Sequence, residues 1–251
     1  MNHIQSAVAD AVGVITMARP RHANAINLHV AEQLTSAVTA LLDRDDVHVL
    51  LLLGRGEHFC AGGDVKAMAA EPPEWATQVA RTMHECIRAL HASSKVIVAG
   101  AQGAVAGAGL SLALASDLVV ATPETRFVAA WHKVGLTPDA GASWLLPRAV
   151  GSHRAAAMLV AGREVRGPEA LKWGLVTELA AAADLQSRSH ALAAEVASGA
   201  WRAAGATRSL LRSAWDVTLP SRLGEECQTI GLMRKQNQSE LDQFLLSRPQ
   251  R

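Results

Sequence analysis

Three cysteines, Cys60, Cys86 and Cys227, are all that this 251-residue sequence contains. An odd number at unrelated spacings argues against a disulfide framework and fits reduced thiols. No CxxC or HExxH occurs and the ten histidines are scattered without pairing, so no metal site is expected. Charge of one sign is lacking too: 24 basic and 23 acidic side chains leave a net charge of +1. Such balance gives no electrostatic reason for nucleic acid or an anionic membrane as partner. No apolar run approaches the roughly 20 residues that span a bilayer; the segment Gly103–Ala121 comes nearest and is interrupted by glycines, Ser111, Ser116 and Asp117. The first twenty residues lack the basic region, apolar core and small-residue cleavage site of a secretory signal, so a cytoplasmic location is expected.

What is present is a chain 49% apolar and 19% charged, long enough for one large domain or a domain with an appendage. Short β-like runs at Val12–Met17, Val47–Leu53, Val96–Ala101 and Leu118–Ala121 alternate with helical patterns, which predicts an α/β core with crossover connections. His29–Leu42 reads as a helix. Glu74–His91 places Trp75, Val79, Met83, Ile87 and Leu90 on one helical face, where they read as core. The sheet is expected to end near residue 125. Beyond Gly167 the segments Pro168–Gly174, Ala181–Ser198, Ala203–Val217 and Ser221–Leu246 are helix-compatible, with no convincing strand beyond Leu175–Thr177.

Two glycine-rich turns carry the chemical signal. Phe59-Cys-Ala-Gly-Gly-Asp64 follows an apolar strand, and its small residues let the backbone approach a ligand. Taken alone it also reads as a tight turn in which Asp64 caps a helix. The second turn, Gly103-Ala-Val-Ala-Gly107-Ala108-Gly109, leads from a strand into a helix expected over Leu110–Ser116, whose free N–H groups would face a ligand oxygen. A developing oxyanion suits such donors. The spacing lacks the third glycine of a dinucleotide fingerprint and the last glycine of a nucleophile elbow. Ser111 therefore reads as a serine bonding locally in a first helical turn.

These turns, together with Arg19-Pro-Arg-His-Ala23-Asn-Ala25-Ile-Asn27, Gly135-Leu-Thr-Pro-Asp139-Ala-Gly141, Gly174-Leu-Val176 and Phe244-Leu-Leu-Ser-Arg248-Pro, resemble the crotonase (enoyl-CoA hydratase/isomerase) superfamily over nearly the whole chain. The resemblance implies a spiral of ββα units to residue 190 as the acyl-CoA-binding core. It implies helices over 191–251 that assemble a homotrimer or a hexamer. It implies an acyl-CoA thioester as substrate, with coenzyme A entering as part of that substrate and no tightly bound cofactor. Gly63 and Ala108 take the positions of the oxyanion donors. Ala23, Ala25 and Ala61 match segments that hold coenzyme A; Asp64 and Lys66 stand near that channel, and Phe244 and Arg248 match residues that reach its nucleotide.

Hydratases of the family use two glutamates, and those positions fall here on Ser111 and Trp131, neither of which can act as a carboxylate. Without that pair nothing there activates water. Asp139 has two readings. By itself it is a good N-cap for a helix starting near Ala140; by the resemblance it is the acid/base that several isomerases keep, especially those that rearrange ring-derived CoA thioesters. The expected reaction is a shift of a 3-enoyl-CoA to a 2-enoyl-CoA. The set Trp131, Asp139 and His84 is also similar to hydrolytic 4-chlorobenzoyl-CoA dehalogenases, where the aspartate is the nucleophile. His84 and Trp131 read equally as packing residues beside apolar neighbours, and His132 as a surface or pocket-wall histidine. A third reading is a non-catalytic assembly subunit on a CoA-binding fold.

Overall fold

The computed structural model describes residues 2–246. A hairpin of β1 (Ile4–Ala9) and β2 (Val12–Met17) turns at Asp10 and Ala11, both at positive φ. Helix α1 (Leu28–Leu42) begins where the Asn27 side chain accepts the Val30 amide. After β3 (Val49–Gly54) the Asp64 carboxylate caps α2 (Val65–Ala70) by accepting the Ala67 amide, and α3 (Pro73–Ala92) follows with proline in its first turn. Next come β4 (Val96–Ala101), β5 (Ala104–Ala106) and α4 (Ala108–Ala115), joined by almost no intervening chain. β6 (Leu118–Ala121) and β7 (Arg126–Val128) precede a 3-10 turn at Ala130–Val134, then α5 (Ala142–Val150) and α6 (Ser152–Leu159). The remainder is β8 (Val165–Arg166), α7 (Gly167–Trp173), β9 (Glu178–Leu179), α8 (Leu185–Ser198), α9 (Trp201–Arg212), α10 (Leu219–Gln236) and α11 (Gln238–Leu246). None of the described helices is long and apolar enough to cross a membrane.

The large sheet runs β1-β2-β3-β4-β6-β9, with β1 antiparallel and the rest parallel; the small sheet runs β5-β7-β8. The chain visits both sheets in turn. β4 and β6 belong to the large sheet, their successors β5 and β7 to the small one, and a helix closes each unit, which is the ββα repeat expected from the sequence. After β3 an isolated bridge between Cys60 and Val105 does the same job in place of a full strand. The sheet does not end near residue 125: β7, β8 and β9 all lie beyond it, and β9 begins just after the expected Leu175–Thr177. Strands of two or three residues are too short to show an alternating pattern, and their neighbours' backbone groups select them. The helical run expected over 221–246 breaks at Asn237, and the one expected over 203–217 stops at Arg212.

β3 is buried throughout because helices cover both of its faces. Side chains alternate across a strand: Leu50 and Leu52 join the main core with Leu34 and Leu90, while Val49, Leu51 and Leu53 meet Ala193 and Ala197 of α8. Residue 190 falls inside that helix. The chain beyond it is tied back by α9, whose Arg208 is 4% exposed. Its Nε donates to Asp117 at 2.6 Å, and its other nitrogens reach the carbonyls of Leu90, His91 and Ser93 at the end of α3. Arg212 adds a 2.7 Å bond to the same carboxylate and one to the Ala115 carbonyl ending α4.

Removing Arg208 leaves Asp117 with Arg212 as its remaining partner and takes the donor from the Leu90, His91 and Ser93 carbonyls, and each buried acceptor left unpaired costs about 1–3 kcal/mol. Arg208→Met should therefore lower unfolding free energy by about 3–5 kcal/mol in urea denaturation; a loss within the scatter of a surface substitution would show that α9 is not locked through Asp117.

Candidate active site

The Phe59–Asp64 loop is held from both sides. On one, the Phe59 amide donates to Gln102, the Cys60 amide to Ala104, and the Ala106 amide to the Cys60 carbonyl, over 2.8–3.1 Å. On the other, the Ile26 amide donates to the Gly62 carbonyl and the Asp64 amide to the Ile26 carbonyl, both at 2.8 Å, while the Ala61 amide donates to Ala23. Ala23 and Asn24 sit at φ 50° and 54°, a left-handed conformation that asparagine tolerates and alanine adopts only where its surroundings hold it. Asn24, 1% exposed, supplies that hold: its amide nitrogen reaches the carbonyls of Arg55, His58 and Phe59. Arg19 bonds Asp64 at 2.7 Å and the Ala25 carbonyl at 3.0 Å. Burial pushes the Asp64 carboxyl up, but Arg19, the Ala67 amide and the charge of His22 together hold it below its ordinary value. Asp64 thus braces the loop as well as capping α2.

Gly62 and Gly107 approach back to back, and a Cβ on Gly62 would lie 3.0 Å from the Ala106 carbonyl and 3.4 Å from Gly107 Cα. Both are at positive φ, 99° and 50°, which glycine adopts without steric cost. This closeness brings the Gly63 and Ala108 amides to one cavity of about 280 Å³. Among the described residues neither amide donates to a protein acceptor. Ala108 opens α4, where the first N–H groups have no intrahelical partner and the helix end is positive. Two such free amides on one cavity have the chemistry to bind an oxygen that gains charge.

Asp139 lines the same cavity. Its Oδ1 accepts Trp131 Nε1–H at 2.9 Å. The N-cap reading does not hold: α5 is capped at Gly141 with no side-chain cap bond, and the Asp139 main-chain carbonyl takes the Ala142 amide instead. Burial raises the Asp139 carboxyl above its ordinary value, and the Trp131 hydrogen bond, the charge of His84 and a backbone hydrogen bond oppose that rise without cancelling it. Asp139 and Lys133 are the acid and the base on the cavity wall; the rest is apolar, including Ile26, Met68, Trp75, Val79, Met83 and Leu136. A carboxyl so placed can take and return a proton close to the two amides.

The other expected residues are distributed as follows. Trp131 is 8% exposed and lines the cavity. His84 is exposed and faces a separate groove with Arg81, Arg88 and Gly141, so its charge reaches Asp139 but it does not line the cavity; it is not a packing residue. His132 bonds the Ala129 carbonyl and packs on Gly162, away from the cavity. Ala61 lines the cavity, while Ala23 and Ala25 lie in the strip beneath it and Lys66 is an exposed residue of α2. Phe244 sits beside His48 and Trp201, at the end of β3 remote from the Phe59–Asp64 loop, and Arg248 lies outside the described residues. Trp75 lines the cavity rather than filling the core, while Val79 packs against the core and lines the cavity as well. Sequence reasoning missed Arg19 and Asn24 as braces and Met68 and Leu136 as walls. An arginine and an asparagine set among small residues were the available signal for the first pair; the second pair carried none. Among the described residues no group of three or more His, Cys, Asp or Glu could hold a metal ion.

Comparison with known proteins shows the family. The family profile described as Enoyl-CoA hydratase/isomerase matches residues 7–247. The chain is 32% identical over 230 residues to 1,2-epoxyphenylacetyl-CoA isomerase of Escherichia coli, covering 90% of this chain and 88% of that one. It is 31% identical over 233 residues to 4-chlorobenzoyl coenzyme A dehalogenase-2 of Arthrobacter sp., covering 91% and 84%. A crystal structure of an enoyl-CoA hydratase from Polaromonas sp. JS666 superposes with a TM-score of 0.92 at 30% identity, over 98% of both chains. Those three names denote three different reactions.

A Cβ on Gly109 would lie 2.4 Å from the Cys60 carbonyl oxygen, a backbone atom that cannot turn aside. Gly109→Ala should force α4 and the loop apart and lower stability by about 1–3 kcal/mol, as overpacking does; an unfolding midpoint equal to wild type would mean that the two turns are not in contact there.

Proposed function

This chain belongs to the enoyl-CoA hydratase/isomerase family and is an enzyme of that family, and from that premise we propose that it moves the double bond of a 3-enoyl-CoA to the 2-position with Asp139 as the proton carrier. The observation that carries the reading is Asp139 itself: a carboxylate bonded to Trp131 that lines the same cavity as Gly63 and Ala108. The two amides polarise the thioester carbonyl. The Asp139 carboxylate takes a proton from the carbon next to it, and the C–H electron pair moves into a dienolate whose oxygen the amides hold. The carboxylic acid so formed returns the proton two carbons further on, the double bond moves, and Asp139 is again a carboxylate. Coenzyme A would lie along the strip made by Ala23, Ala25 and Ala61, in which small side chains leave the backbone open.

Hydration is disfavoured because Ser111 and Trp131 hold the two positions where the family's hydratases keep glutamates. A second reading is favoured by the Trp131–Asp139 hydrogen bond and the charge of His84 on Asp139: attack of the carboxylate on the halide-bearing ring carbon of an aroyl-CoA, expulsion of the halide ion, and hydrolysis of the resulting aryl ester by water. Side-by-side assays with a 3-enoyl-CoA, a 2-enoyl-CoA and 4-chlorobenzoyl-CoA separate these chemistries. Asp139→Asn should cut isomerase kcat by roughly 10²–10⁴ while acyl-CoA still binds; isomerisation at the wild-type rate would sink the proposal. An ester trapped on Asp139 in a His84→Ala variant given 4-chlorobenzoyl-CoA, seen by mass spectrometry, would establish the second reading instead.

The raised Asp139 carboxyl sets the pH behaviour. The base form is needed first, so the acid limb of kcat/KM should lie above the ordinary carboxylate value of 3.8. Trp131→Phe removes a group that opposes the rise, so the limb should move to higher pH. The folded chain also binds this proton more tightly than the unfolded one, so ionising Asp139 costs stability as pH climbs from the ordinary value through the raised one. Asp139→Asn should therefore be at least as stable as wild type at neutral pH and lose that advantage in acid, which thermal melts across pH will show.

The assembly proposal rests on α9, α10 and the segment between them, where Trp215 is 75%, Leu219 70% and Ile230 71% exposed. Neighbouring copies would cover these side chains, and Phe244 would then serve a neighbour's nucleotide site rather than its own. Light scattering should give a trimer or a multiple of it; a monomer at all concentrations refutes this.

A further inference from the structure

We infer that Ser111 and Ala140 are positioning residues that hold the main chain of Asp139, so that its carboxyl keeps a set distance from the amides at the start of α4. The inference deepens the isomerase reading and rests on it. Ser111 is 0% exposed and stands three residues after Ala108 (111 − 108), one turn along the same helix. A serine there could return its hydroxyl to a carbonyl in its own helix. Its Oγ instead donates to the main-chain carbonyl of Asp139, at 3.3 Å across 28 positions of sequence. The position that holds a glutamate in the family's hydratases thus carries a group linking the oxyanion helix to the carboxylate residue.

Ala140 secures the other side of the same peptide. It is 0% exposed and lies at φ 47°, followed by Gly141 at φ 78°. A left-handed alanine is disfavoured by its own Cβ, and glycine would adopt the conformation freely. The methyl is buried in the main core, so packing holds the turn in its strained form and denies it the freedom a glycine would have. The Asp139 carbonyl then meets both Ser111 Oγ and the Ala142 amide, the latter at 3.0 Å, and the side chain turns from the start of α5 toward Trp131. Three elements therefore grip one residue: α4 through Ser111, the Ala140–Gly141 turn through its backbone, and the 3-10 turn through Trp131.

Ser111→Ala and Ala140→Gly test this together, with Trp131→Phe as reference. Each should lower kcat by roughly ten- to a hundredfold, the range for a misplaced catalytic group, with KM unchanged because the thioester-binding amides are untouched. A readout independent of turnover is the pH midpoint of carbodiimide labelling at Asp139, read by mass spectrometry. The charged groups around that carboxyl, His84 on α3 and Lys133 on the 3-10 turn, are the same in every variant. Loosening the Trp131 bond should shift the midpoint upward in Ser111→Ala and Ala140→Gly, in the direction seen for Trp131→Phe. Wild-type kcat with an unmoved midpoint overturns the proposal, as does a loss confined to KM or to thermal stability. If Asp139→Asn retains full isomerase activity, the isomerase reading fails, while the labelling midpoints still decide whether Ser111 and Ala140 hold Asp139.

Discussion

The hydrogen-bonded contact between Cys60 and the strand Ala104–Ala106 is what the rest of the site depends on. In it the Cys60 amide and carbonyl are both used, one by Ala104 and one by Ala106, in the manner of a short parallel ladder. With that contact in place Gly62 meets Gly107, Gly109 fits against the Cys60 carbonyl, and the amides of Gly63 and Ala108 open into the same cavity. Any side chain beyond hydrogen at Gly109 would part the two turns. The Cys60 thiol is spent on packing: burial pushes it up to about 12, so it is neither a nucleophile nor a ligand under ordinary conditions.

A second constraint acts on Asp139. Desolvation favours its protonated form, and the Trp131 N–H and the charge of His84 favour its ionised form. A carboxyl held between those pulls can exchange a proton in both directions, which a fully solvated aspartate does poorly near neutral pH. The same surroundings separate Asp139 from Asp64, the other acidic residue of the site loops. Asp64 is matched by Arg19 and the α2 amide and stays below its ordinary value. Two aspartates on the loops around one cavity thus ionise differently, as set by what each is bonded to.

Stability and site geometry are joined through α9. Arg208 and Arg212 place their guanidinium groups on the C-terminal carbonyls of α3 and α4, where the helix ends are negative, and Asp117 balances both charges. α3 supplies the wall of Trp75, Val79 and Met83, and α4 supplies the Ala108 amide. α9 and the helices that frame the cavity are therefore one packed unit.

The sequence by itself determined the α/β alternation, the two glycine turns and the small residues where backbone must approach backbone; Asp139 stood out only through the family's motif, since alone it read as an N-cap. These are local properties, readable from spacing, from side-chain size and from the family's motifs. Tertiary structure decided the rest. Whether Asp139 caps α5 or faces a cavity depends on Ala140 and Trp131, which act through a left-handed turn and a bond across eight positions (139 − 131). Whether Trp75 is core or cavity wall depends on whether another element covers it, and helical spacing marks only that a face is apolar. The strands β7 to β9 were illegible because two or three residues carry no period, and pairing partners far along the chain give them their conformation. Asn24 and Arg19 stand out among small residues, yet their bracing role needed the fold: the carbonyls and carboxylate they bond lie between six and forty-five positions away, and only the folded chain brings them within reach.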